Sequence, residues 1–148
     1  MKLRELLLVV LIACCMPFVF ASEGPGTGAG LFVVFSDNAS NRTPDAAMLK
    51  RMLLGQLFEW PDGNRVRLAL PSSKSPAYNV AGSRIFGGNG RTMTRLWLQK
   101  VFSGESRAPA FLDTDADVLD EVMRNPNTLG VLGSMPDELP SGVRVMEL

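Results

Sequence analysis

The chain has 148 residues, and its 15 basic and 15 acidic side chains give a formal net charge of zero. It contains no histidine, so the usual general base and the commonest transition-metal ligand are both missing. Basic residues form no cluster or stripe, and we therefore expect no nucleic acid partner.

The first 21 residues have the features of a secretory signal peptide. Two basic residues open the chain, the apolar run 6–20 follows, and Val19 and Ala21 are small residues before a cut at Ser22. Because a membrane-spanning helix needs roughly 20 apolar residues, we expect a periplasmic or secreted protein without a membrane span in the mature chain. The alternative is a lipoprotein, since residues 11–14 loosely match a lipid-attachment box. That alternative would leave apolar residues directly after the lipid.

The remaining 127 residues are enough for one domain with a core and too few for two. Both cysteines, Cys14 and Cys15, lie in the signal peptide, so the mature chain has no disulfide, cysteine nucleophile or thiolate metal site. We divide the rest into a glycine-rich linker at 22–30 and one domain at 31–148.

The domain opens with a predicted strand and a predicted helix. Residues 31–35 form a continuous apolar run, which is typical of a central strand buried on both faces. After a polar loop, Thr43 is the expected cap of a helix with Pro44 in its first turn. Apolar residues then recur at helical spacing until Gly55 ends the helix.

An aromatic segment and a tight turn lead to the second strand. Leu57, Phe58 and Trp60 follow the helix, and we expect them to fold back as a core plug that touches no ligand. Residues 61–64 have the composition of a turn, and residues 65–70 alternate basic with apolar side chains as a strand does.

The second half repeats helices and short strands. Ser75 and Pro76 predict a helix start, and Trp97 belongs to an apolar helix stripe, so we expect its ring in the core. Strands alternating with helices predict an α/β fold with a largely parallel or mixed sheet flanked by helices. The predicted helices are 77–86, 91–102 and 113–124, with Val118, Leu119, Val122 and Met123 as the buried stripe of the last one, and the predicted strands are 128–132 and 143–146.

Two serine-rich loops are candidate binding sites, at residues 36–40 and 72–75. Each follows a strand and leads into a helix amino terminus, where free N–H groups and the helix dipole attract anions. Ligands of open α/β sheets prefer the carboxyl ends of the strands, and Lys74 adds a positive charge. The alternative is helix capping alone, which Thr43 and Ser75 would provide without any ligand.

Other polar residues indicate neither a metal site nor a catalytic one. Asp113 to Asp117 begins like a calcium loop, but Val118 stands where the loop needs glycine and Arg124 where it needs a bidentate acid. Acidic residues at a helix start are explained by the dipole. Spacing supports no nucleophile–base pair, so we expect no catalytic residue, no cofactor and no enzyme activity; a hydrolase is the enzyme-class alternative.

Three segments resemble phosphate ABC transporter substrate-binding proteins. Residues 54–63 resemble the family's F-x-G-x-x-x-x-W-x-D-G segment, with leucine where an aromatic residue is usual. Residues 96–109 resemble its tryptophan helix and the following F-x-G-x-x-x-x-P loop, and residues 128–132 resemble its G-x-I-G-Y strand, with Leu132 replacing the aromatic residue. The resemblance implies a type 2 periplasmic-binding-protein-like fold, and this chain is long enough for one of its two lobes.

The resemblance also implies a function. The family's phosphate loop usually carries arginine and Ser-Gly-Thr, and the matching segment here keeps the hydroxyls without the glycine and the threonine. We therefore expect a secreted non-catalytic protein that binds phosphate or another small anion through Ser36, Ser73, Lys74 and Ser75. The alternative is an accessory or sensor subunit that kept the fold, lost ligand binding and meets a protein partner at the face of the missing lobe.

Overall fold

The computed structural model describes residues 30–39 and 43–148. The predicted signal peptide and nearly all of the predicted linker therefore lie outside the described residues. Within the described part, no helix has the length and apolar character needed to cross a membrane.

A five-stranded mixed sheet forms the centre of the domain, and its strands lie in the order β3-β2-β4-β1-β5. Strand β2 runs parallel to β3 and β4, whereas β1 runs antiparallel to both of its neighbours. The carboxyl end of β1 therefore lies at the end of the sheet where β2, β3 and β4 begin. The strands are β1 Phe32–Ser36, β2 Arg67–Pro71, β3 Ala110–Leu112, β4 Thr128–Leu132 and β5 Val143–Glu147.

Four helices in the described residues cover the two faces of this sheet. On one face, α1, α2 and α3 pack with Val33, Phe35 and Leu70 of the sheet into the larger core cluster. On the other face, α4 places Val118 and Val122 against a smaller cluster. The mixed α/β architecture predicted from the sequence is confirmed. The helices are α1 Ala46–Leu53, α2 Ala77–Phe86, α3 Gly90–Phe102 and α4 Asp115–Arg124, and a short 3-10 turn, Asp37–Ala39, follows β1.

The start of α1 differs from the prediction. Asp45 is the cap, and its carboxylate accepts a hydrogen bond from the Met48 N–H at 2.6 Å. The predicted cap, Thr43, instead accepts a hydrogen bond from Arg144 of β5 at 3.1 Å. The end of the helix is as predicted, because Gly55 has φ +65, a conformation that favours glycine.

In the segment after α1, Trp60 forms a core plug as predicted, whereas Leu57 is only half-buried. Trp60 is 2% exposed, its ring centroid lies 5.9 Å from that of Phe35, and its Nε1 donates to the Asn127 carbonyl at 2.9 Å. Trp97 of α3 is also buried, as expected. Phe58 differs, because it is only half-buried and lines a cavity at the surface.

Candidate functional site

The four residues expected to bind an anion lie at opposite ends of the sheet. Ser36 ends β1 and pairs with Val143, at the end where the parallel strands begin. Ser73, Lys74 and Ser75 follow β2, at the carboxyl end of the parallel strands. Because β1 runs against its neighbours, the fold does not bring Ser36 together with the other three residues.

The loop 72–75 makes contacts within the chain that oppose anion binding. The Ser75 hydroxyl is buried and accepts a hydrogen bond from the Ala77 N–H at 3.2 Å, so it caps the start of α2. Lys74 Nζ lies 3.4 Å from the carboxylate of Asp113, and the Ser72 hydroxyl donates to the same carboxylate. Ser73 is exposed. An anion in this loop would meet the negative charge of Asp113.

The hydrogen bond from Ser72 is the main cause that lowers the pKa of Asp113; lost hydration opposes it, and the hydrogen bond and charge of Lys74 lower the pKa further. We predict that Ser72→Ala raises this pKa towards the usual value near 3.9. A carboxyl-carbon NMR titration measures it, and Ser73→Ala is the matched control. Since the folded pKa is depressed, the stabilisation is present above the unfolded pKa and is lost as pH falls through the folded value. An unchanged Asp113 midpoint in Ser72→Ala would contradict the contact.

A cavity of about 200 Å³ opens at the other end of the sheet, where β2 and β3 begin. We call it the arginine pocket, because Arg65, Arg67 and Arg107 all line it, together with Ser106. All three arginine side chains are exposed. The pocket therefore gathers positive charge from two segments, the start of β2 and the loop before β3.

Within residues 30–39 and 43–148, no carboxylate forms an ion pair with any of these three arginines. The pocket lining contains one carboxylate, Glu121 of α4, which is engaged elsewhere. It lies 3.6 Å from the Arg124 guanidinium and accepts a hydrogen bond from the Asn125 amide at 2.8 Å. The pocket consequently has a net positive charge.

Backbone contacts hold Arg65 and Arg67 in place. Phe58 and Val66 are joined by a hydrogen bond of 2.8 Å from the Val66 N–H to the Phe58 carbonyl, and Glu59 forms a β-bridge with Arg65. The Arg67 N–H donates to the Asn127 carbonyl at 3.0 Å, where β2 enters the sheet. Both arginines therefore extend from ordered backbone.

The loop that carries Arg107 is held by the end of α3. Lys100 Nζ lies 3.4 Å from the Glu105 carboxylate, and the Ser103 hydroxyl donates to the same carboxylate at 3.0 Å. Gly104 has φ +76, which allows the chain to turn back, and Pro109 is buried. These contacts fix the direction in which the chain leaves α3 towards β3, and with it the place of Arg107.

The rest of the pocket lining is largely apolar. Met52 and Trp97 are buried core residues, whereas Leu57 and Phe58 are only half-buried. The buried Trp97 Nε1 has no hydrogen-bond partner in the part of the chain that the structure describes. Such a donor costs roughly 1–3 kcal/mol when it is left without an acceptor. The pocket therefore combines cations with apolar surface that includes aromatic rings.

Sequence reasoning assigned no binding role to these arginines. The alternation at 65–70 predicts Arg65 and Arg67 as polar positions of a strand, and two cations spaced by two residues lie on one face of such a strand. Arg107 could not be placed beside them from the sequence, because that requires the parallel pairing of β2 with β3. The alternation of basic with apolar residues at 65–70 is the sequence feature that could have indicated Arg65 and Arg67 as binding residues.

Comparison with known proteins adds no further assignment. The chain matches no family model, no curated protein and no solved structure. The resemblance to phosphate-binding proteins therefore rests on the sequence motifs alone. The candidate binding residues are those of the arginine pocket and of the serine-rich loop at residues 72–75.

Proposed function

We propose that this protein is a secreted, non-catalytic binding protein for a small anion such as phosphate, and that the arginine pocket is its binding site. We further propose that it is a single-lobe relative of type 2 periplasmic-binding proteins, as the sequence motifs imply. The observation that carries the binding role is the presence of three arginines in the lining of one cavity, none of them in an ion pair with a carboxylate among the described residues.

Guanidinium groups are well suited to such a ligand. Each presents several N–H donors in a planar fork, which matches the oxygen atoms of phosphate or carboxylate in two-point hydrogen bonds. Like charges around one cavity also repel one another, and a bound anion removes that repulsion. The partly apolar lining lowers the local dielectric constant, so the attraction is stronger than on an open surface.

The serine-rich loop at residues 72–75 has weaker support as the anion site than the arginine pocket has. Lys74 already faces the Asp113 carboxylate, and the Ser75 hydroxyl is buried. Ser36 lies at the far end of the sheet from this loop. The loop does match the phosphate-binding segment of the family by position, and the experiment below therefore tests both places.

We predict that Arg67→Gln and Arg107→Gln each weaken phosphate binding at least tenfold, about 1.4 kcal/mol. Each removes charge-assisted hydrogen bonds, which contribute roughly 1.5–3 kcal/mol when the partner is charged. Isothermal titration calorimetry at low ionic strength measures the affinity. Arg91→Gln, an exposed arginine at the other end of α3, is the control with the same change of charge and should bind like the parent chain.

The two candidate sites give different outcomes in this experiment. If Lys74→Gln abolishes binding while Arg107→Gln does not, the anion binds at the serine-rich loop and the pocket assignment is wrong. Failure of the parent chain to bind phosphate or sulfate at millimolar concentration would contradict the anion-binding function itself.

One observation favours a second function, that of an accessory or interaction subunit. Leu98 and Phe102 lie four residues apart on α3, so they share one helix face, and they are 47% and 84% exposed. Exposed apolar side chains at helical spacing suit contact with another protein. A mass in solution that depends on concentration, together with no effect of anions, would support this alternative.

A further inference from the structure

The arginine pocket is larger than a simple inorganic anion requires. Its volume is about 200 Å³, whereas a cavity needs roughly 10–15 Å³ on this measure to hold one water molecule. On this measure the cavity has room for more water-sized atoms than the four oxygen atoms of one phosphate ion. An inorganic phosphate ion would thus leave part of the pocket to water, against a lining that is partly apolar.

The apolar lining belongs to the same ordered segment as two of the arginines. The Phe58 carbonyl accepts the Val66 N–H, so the ring of Phe58 and the side chains of Arg65 and Arg67 extend from one small hairpin. Trp60 anchors that hairpin in the core through its hydrogen bond to Asn127. Cations and an aromatic surface are therefore presented together before any ligand arrives.

Half-buried apolar side chains in a cavity gain from being covered. Removing apolar surface from water is favourable in proportion to its area, and an aromatic ring gains further from stacking on another ring. Leu57, Phe58, Val66 and Ala110 are the half-buried apolar members of this lining, and Met52 and Trp97 are its buried ones. A ligand whose charged group meets the arginines and whose body covers these residues would use both parts of the pocket.

We infer that the ligand of the arginine pocket is an organic anion, specifically a phosphate monoester with a flat apolar body. This inference rests on the proposed function, because it assumes that the arginines bind the anionic group. It adds that the neutral part of the ligand carries much of the selectivity, and that Phe58 is the residue that recognises it.

Titration calorimetry of the full chain with three probes tests the inference. The probes are phenyl phosphate, methyl phosphate and inorganic phosphate, and we expect phenyl phosphate to bind at least tenfold tighter than methyl phosphate. Phe58→Ala should reduce that preference to less than threefold, because it removes the ring that the phenyl group would cover. Phe102→Ala, which removes an 84% exposed ring outside the pocket lining, is the matched control. Phe58→Leu keeps most of the apolar volume and serves if the alanine variant does not fold.

The outcomes separate this inference from the proposed function. Equal affinities for phenyl and methyl phosphate would overturn the inference and leave the proposed function standing. If none of the three probes binds, the proposed function fails and the inference fails with it. Benzyl alcohol, which lacks the charge, should not bind; binding as tight as that of phenyl phosphate would show that the arginines contribute nothing.

Discussion

Replacing Gly82 by alanine should destabilise the protein by about 2–3 kcal/mol, although alanine is the better helix former by roughly 1 kcal/mol. Gly82 lies within α2, where it faces the backbone at the start of α3. An added Cβ would lie well under 3.0 Å from the carbonyl group of Asn89 and the nitrogen of Gly90. Backbone atoms cannot rotate away as a side chain can, so α2 and α3 would have to separate.

Urea denaturation checks this prediction, with a lower midpoint and an unchanged m-value as the expected result. Ser83→Ala is the matched control, because Ser83 is the next residue of the same helix, is exposed, and donates only to the Val80 carbonyl of its own helix. It should change the free energy of unfolding by less than about 0.5 kcal/mol. A Gly82→Ala variant as stable as the parent would contradict the close approach of the two helices.

The elements that sequence reasoning placed well are those with a long and regular pattern. The apolar run at 31–35 predicted a buried strand, and β1 spans Phe32–Ser36. The Ser75-Pro76 start and the glycines after Phe86 predicted α2 with its bounds, and α3, predicted from helical spacing, begins one residue before the predicted start. In each case the local pattern and the tertiary packing favour the same structure, so the pattern alone was sufficient.

The elements that were missed depend on partners far away in the chain. Strand β3 has only three residues, Ala110–Leu112, too few to show a period, and it is extended because it pairs with β2. Thr43 does not cap α1, because the helix begins at Ala46 with Asp45 as its cap; its hydroxyl instead accepts a hydrogen bond from Arg144, 101 positions later. Met123 was expected in the buried stripe of α4 but is 54% exposed, since only Val118 and Val122 of that helix are fully covered.

The candidate site shows the same limit. A sequence pattern identifies a strand but not its direction, and the antiparallel direction of β1 separates Ser36 from the loop at Ser73 to Ser75. The sequence also did not show that the charge of Lys74 in that loop is balanced by Asp113. These two residues lie close together only because β2 pairs with β3. Residue types can be read from the sequence, but which residues lie close together depends on the order and direction of the strands.

Replacing Asp115 by alanine should destabilise the protein by about 2–3 kcal/mol. The Asp115 carboxylate accepts hydrogen bonds from the Gly133 N–H at 3.1 Å, the Ser134 N–H at 3.0 Å and the Ser134 hydroxyl at 2.8 Å. These bonds join the first turn of α4 to the chain that leaves β4. Hydrogen bonds to a charged group contribute roughly 1.5–3 kcal/mol, and the truncation leaves the part-buried Gly133 N–H without its acceptor.

Urea denaturation measures the loss of stability, and hydrogen exchange locates it, because the amides of Gly133 and Ser134 should lose protection before the rest of β4. Asp120→Ala is the control: it removes an exposed carboxylate from the same helix and should cost less than about 0.5 kcal/mol. Unchanged exchange at both amides would contradict the contact. The contact also gives Asp115 partners within the chain, at a helix start that begins like a calcium loop in sequence.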